Sequence, residues 1–145
     1  MGMPALPYCK ATINAPWKPS GYPKTLNHIG DHIRMRRMDL GLHQRDVALR
    51  LGVHAASVRN WEMGRTEPTL DLLRGVIEFL GYDPRPEPSA IGERIKFWRT
   101  ARGLSQEEMA VRLGVDPSTL ARWESGRRVP TGGYLQAINA NLNQR

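Results

Sequence analysis

At 145 residues, with 40% hydrophobic and 24% charged residues, the chain can form one ordinary domain or two small ones and has the balance of a soluble protein. No apolar run approaches the ~18–20 residues of a membrane span, and "MGMPALPYCK" has no apolar core of signal-peptide length, so a cytoplasmic protein is expected. A net charge of +7 favours a polyanionic partner such as nucleic acid, and a single cysteine, Cys9, excludes an internal disulfide.

Residues 1–24 contain Pro4, Pro7, Pro16, Pro19 and Pro23, three lysines and no acids, and show no periodicity. They read as a disordered or loosely draped arm, with Cys9 an incidental thiol. The helices begin next. "LNHIGDHIRMRRMDLG" places Ile29, Ile33 and Arg36/Arg37 at helical spacing and stops at Gly41. In "QRDVALRLG" Val47, Ala48 and Leu51 share one face and Gly52 closes the helix; "AASVRNWEMG" turns Val58 and Trp61 inward and ends at Gly64. Thr69 is the expected N-cap of "LDLLRGVIEFLG", whose Leu70, Leu73, Val76, Ile77 and Leu80 form an amphipathic stripe. "GYDPRPEP" then packs three prolines into five residues and reads as a semi-stiff linker. Beyond it, "SQEE" makes a capping box of Ser105 and Glu108, and "DPST" offers Asp116 as N-cap with Pro117 at the first helical position. The last helix, "YLQAINANL", is delayed by Gly132 and Gly133. No stretch alternates with period two, so the chain is all-α.

Sliding the chain by 62 residues superposes Ile29–Thr69 on Ile91–Thr131 without a gap, with 18 of 41 positions identical. Two copies are too few for a solenoid, so the period means two tandem small domains. Their expected limits are 25–81 and 90–145, with the arm at 1–24 and the linker at 82–89. The first copy is nearly neutral, with eight arginines against seven acids, whereas the second has nine basic groups against five acids. The basic half is the second.

Counting from Gln44, Ala48 falls fifth, Gly52 ninth, Val58 fifteenth and Trp61 eighteenth; counting from Gln106, Ala110, Gly114, Leu120 and Trp123 take the same places. A helix-turn-helix needs this pattern for steric reasons. The fifth residue is small because the second helix crosses above it, the ninth sits in a turn that favours glycine, and the last two face the core. "GLHQRDVALRLGVHAASVRNWEMGR" and "GLSQEEMAVRLGVDPSTLARWESGR" resemble the phage-repressor and Cro-like, XRE-type helix-turn-helix proteins. The resemblance covers about Leu26–Gly81 and Ala90–Leu142. It implies two tandem lambda-repressor-like helix-turn-helix domains of four to five short helices each, whose second motif helix enters the DNA major groove.

Carried over by position, the resemblance assigns base-facing roles to His54, Ala55, Ala56 and Asn60 in copy one. In copy two it assigns them to Asp116, Pro117, Ser118 and Arg122. Gln44, Gln106, Arg65, Arg127 and Arg128 fall on the phosphate-contacting positions, and Arg37 with Glu62 and Arg99 with Glu124 on a structural ion pair. Arg122 is the favoured reader, because a guanidinium grips guanine O6 and N7 bidentately; its alternative is a phosphate contact. Asp116 reads as a cap more than a base contact. Ala55 and Ala56 offer no hydrogen bond and meet only a thymine methyl, so a positioning role for copy one stands beside a reading role.

Trp61 and Trp123 read as core residues despite their capacity to stack on bases. His28 and His32, four residues apart, read as surface histidines, since no cysteine or carboxylate cluster accompanies them; neither a metal nor a cofactor is expected. No catalytic constellation appears, so the chain is not read as an enzyme. The leading expectation is a sequence-specific DNA-binding transcriptional regulator that docks two recognition helices from one chain on double-stranded DNA. The second reading is a protein-interaction module, such as an antitoxin-like partner of a toxin, acting through Tyr8, Trp17 and Tyr22 of the arm. A homodimer is compatible with either.

Overall fold

A computed structural model describes residues 18–143. Among these residues it contains eight α-helices and no strand. The first unit comprises α1 (Ile29–Asp39), α2 (Gln44–Leu51), α3 (Ala55–Glu62) and α4 (Leu70–Leu80); the second comprises α5 (Ile91–Ala101), α6 (Gln106–Leu113), α7 (Pro117–Glu124) and α8 (Gly133–Leu142). No helix among the described residues is long and apolar enough to cross a membrane.

Each unit closes around its own core. Ile33, Val47, Ala48, Val58, Trp61, Val76 and Leu80 fill the first, and Ile95, Trp98, Met109, Ala110, Leu113, Leu120, Trp123 and Ile138 the second. These are the apolar residues whose spacing of three, four or seven places them on one helical stripe. Leu70 departs from the stripe and is 53% exposed, because it opens α4 before the helix reaches the core.

Helix starts follow local chemistry with two differences. Ser105 and Glu108 cap α6 reciprocally: the Glu108 amide donates to Ser105 Oγ, and the Ser105 amide to the Glu108 carboxylate at 2.7 Å. The Ser105 backbone N–H, helped by its hydroxyl, holds the Glu108 carboxyl below its ordinary range. Thr69 and Asp116 occupy N-cap positions with extended backbones, yet neither side chain makes a capping bond. At Asp116 the backbone carbonyl alone receives Thr119 N–H and Leu120 N–H.

The histidine pair is used in a way that its spacing does not suggest. His28 caps α1, its Nδ1 accepting from the Asp31 amide while the Asp31 carboxylate accepts from the His28 amide. His32 is half-buried, and its Nδ1 shares a 2.7 Å hydrogen bond with the hydroxyl of Tyr82, fifty residues on. Burial lowers the His32 pKa below its ordinary 6.5; nearby Asp31 opposes the shift and His28 adds to it. The folded state therefore resists protonating this ring, and below pH 6.5 the unfolded chain binds more protons. Stability present above that pH is lost as pH falls. In calorimetric scans between pH 7.5 and 5.5 the wild type is expected to lose more thermal stability than His32→Gln, which keeps a hydrogen-bonding group but does not titrate. Equal losses would remove His32 as the cause.

Residues 18–24 of the expected arm lie on the first unit. The Tyr22 hydroxyl donates to Asp39 at 2.9 Å, and the Lys18 ammonium stands 4.5 Å over the Tyr22 ring. Tyr8, Cys9 and Trp17 fall outside the described residues.

Candidate nucleic-acid interface

In both units the second and third helices cross closely, through a turn whose glycine has a left-handed backbone: Gly52 and Gly114 each have φ 66°. This conformation costs an ordinary L-residue strain that glycine escapes. The small residues beneath the crossing, Ala48 and Ala110, are 3% and 0% exposed. A second close approach lies at the start of the first helix of each unit. A Cβ on Gly30 would overlap the carbonyl oxygen of Trp61, and one on Gly92 that of Trp123. Only glycine lets the first helix rest on the last turn of the third.

Next to that contact lies a clamp built twice from the same residues. Arg37 Nε donates to Glu62 at 2.6 Å and Nη2 at 3.0 Å, while Nη1 donates to the Leu42 carbonyl at 3.0 Å. Arg99 repeats this with Glu124 at 2.6 and 3.0 Å and with the Leu104 carbonyl at 2.8 Å. Gln44 Nε2 donates to Glu62 at 2.9 Å, and Gln106 Nε2 to Glu124 at 2.8 Å. Each carboxylate thus joins the first, second and third helices of its unit. A glutamine amide carries two N–H groups, so the one given to the carboxylate fixes the side chain while the amide keeps a second donor.

The third helices, α3 and α7, expose their N-terminal ends. His54, Ala55, Ala56, Asp116, Pro117, Ser118 and Arg122 are exposed, and Asn60 is half-buried. Arg65, Arg127 and Arg128 are exposed just beyond the helices' ends, where Arg65 N–H donates to the Asn60 carbonyl and Arg128 N–H to the Arg122 carbonyl. Among the described residues neither Arg122, Arg65, Arg127 nor Arg128 enters an ion pair, so their guanidiniums stand ready for an external anion. Trp61 and Trp123 are 4% and 5% exposed and lie in the cores, with no face to offer a base.

A helix-turn-helix family model matches residues 33–86 and again 95–144. The chain belongs to the helix-turn-helix family. An uncharacterised HTH-type transcriptional regulator from Archaeoglobus fulgidus is 40% identical over 45 residues, a stretch that takes in 31% of this chain and 20% of that protein. No solved structure matches the chain.

Around the two helix-turn-helix units, sequence reasoning missed the groups at their junction. Arg85 and Asp83 belong to the stretch read as linker, yet they form a 2.7 Å ion pair; Arg85 Nη1 also donates to Thr100 Oγ1 at 2.8 Å and Nη2 to the Phe97 carbonyl at 3.0 Å. The signal available was small: an acid and an arginine two residues apart on either side of Pro84.

Proposed function

We propose that the chain is a DNA-binding transcriptional regulator in which α7 reads base edges and α3 chiefly positions the first unit on the same duplex. The observation that carries this reading is the exposed start of α7. Ser118 lies there, and Arg122, four residues on in the last turn, is exposed and enters no ion pair among the described residues; the helix is locked by the Arg99–Glu124–Gln106 clamp. A side chain that reads bases needs such a rigid platform, because a 1 Å error undoes bidentate recognition. Gln44, Gln106, Arg65, Arg127 and Arg128 take the phosphate contacts. Ala55 and Ala56 leave α3 with Asn60 and His54 as its polar reach, which supports a positioning role.

Selection of bound sequences from a random duplex pool tests the reading. Affinity should fall steeply as salt rises, by counterion release. Arg122→Ala should cost about 1–3 kcal/mol on the selected site and relax one base position, whereas Arg128→Ala should weaken all sequences alike and lower the salt slope by about 1. Uniform weakening by Arg122→Ala would reassign that residue to phosphate. No binding to any duplex at low salt would end the DNA reading and leave the interaction-module alternative.

A further inference from the structure

The two units touch through α4 and α5, and the stretch between these helices is folded against both. On the first unit, Tyr82 holds His32 of α1, and Arg36 Nε donates to the Phe79 carbonyl at 3.3 Å. On the second, Arg85 meets both carboxylate oxygens of Asp83 and the two α5 acceptors, Thr100 and Phe97, while its guanidinium lies 4.3 Å over the Phe97 ring. Thr100 is 2% exposed. The Arg74 side chain comes so near Gly103 that an added Cβ would meet its Cδ at 3.1 Å, which ties α4 to the loop after α5 as well. Pro84 and Pro86 flank Arg85 and restrict its backbone, so little freedom is lost in making these bonds. A planar fork with donors on three nitrogens is what this site uses, and lysine cannot reproduce it.

The linker residues of this junction lie outside the superposed stretches of the repeat, and whereas Tyr82 packs against the first core, Arg85 belongs to neither core. We infer that Arg85 is a positioning residue that sets the spacing of the DNA site: it locks both helix-turn-helix units into one body, so that α3 and α7 engage a duplex at a single separation and helical phase. The inference rests on the DNA-binding reading above. Two inserted base pairs shift one half-site by about 7 Å and about 70° relative to the other. A locked pair cannot follow this shift, whereas units on a released linker can, keeping the gain from joint binding.

The test uses the full chain as wild type, Arg85→Ala and Arg85→Lys, with helix content measured by circular dichroism to confirm folding. Without DNA, backbone 15N relaxation should give one tumbling time for both wild-type units and two different times in the variants. On the selected duplex, a two-base-pair insertion between half-sites should weaken the wild type at least about tenfold and Arg85→Ala less than about threefold. Independent tumbling of the wild-type units overturns the inference, as does a variant that tumbles and discriminates spacing like the wild type. If Arg85→Ala does not fold, Arg85→Lys, which keeps charge and length, decides by the same two readouts. Binding to no duplex overturns the DNA reading and the spacing role together, while the relaxation data still show whether Arg85 locks the junction.

Discussion

Glu124→Ala is expected to destabilise the second unit by about 3–5 kcal/mol. The side chain of Glu124 is 4% exposed and that of Arg99 9%, so truncation leaves a guanidinium in a poorly solvated place without its two 2.6–3.0 Å bonds. Gln106 loses its 2.8 Å acceptor at the same time, and with it the support for its proposed phosphate contact. In urea unfolding followed by circular dichroism, the variant should show two transitions, the earlier one from residues 91–142. Replacing both charges, as Arg99→Met with Glu124→Leu, should recover much of the loss, because the penalty comes from one uncompensated charge and not from the absence of a salt bridge. A Glu124→Ala protein within about 1 kcal/mol of wild type would mean that water reaches Arg99 and that the clamp contributes little.

The second large effect is steric. Gly92→Ala is expected to cost about 2–3 kcal/mol or more, since the new methyl meets backbone (the Trp123 carbonyl) and no side chain can swing aside. Relief requires α5 to lift from the end of α7, which moves the platform of Arg122. Gly75→Ala in α4 is the contrasting case. Its Cβ would find Leu51 Cδ2 at 3.5 Å, an ordinary contact, in a helical backbone. That variant should gain about 0.5–1 kcal/mol from the lower entropy of the unfolded chain. Thermal melts of both variants separate the two causes. Similar behaviour of Gly92→Ala and Gly75→Ala would refute the close helix crossing.

Much of the architecture was legible without coordinates, because its determinants are local or repeated. Helical stripes such as Val47–Ala48–Leu51 depend on neighbours three and four residues apart, and the Ser105–Glu108 cap on a span of three. Gly52 and Gly114 mark turns that need a left-handed backbone. The Arg37–Glu62 and Arg99–Glu124 partners are distant in sequence, yet the chain writes the same spacing of twenty-five twice, and the structure holds both at 2.6 Å. By itself, then, the sequence determined two all-α helix-turn-helix units, their turns and the core positions of their motif helices.

Tertiary structure decided what depends on a single, unrepeated contact. Whether Thr69 or Asp116 bonds its helix end depends on side-chain placement, and neither makes a capping hydrogen bond. His32 meets Tyr82 across fifty residues, and Arg85 meets Thr100 across fifteen, with no second copy to mark either spacing. A pattern of residue types reports the helix it lies on. The surface that this helix meets is chosen by packing, and so the junction that joins the two units emerged only once α4 and α5 lay side by side.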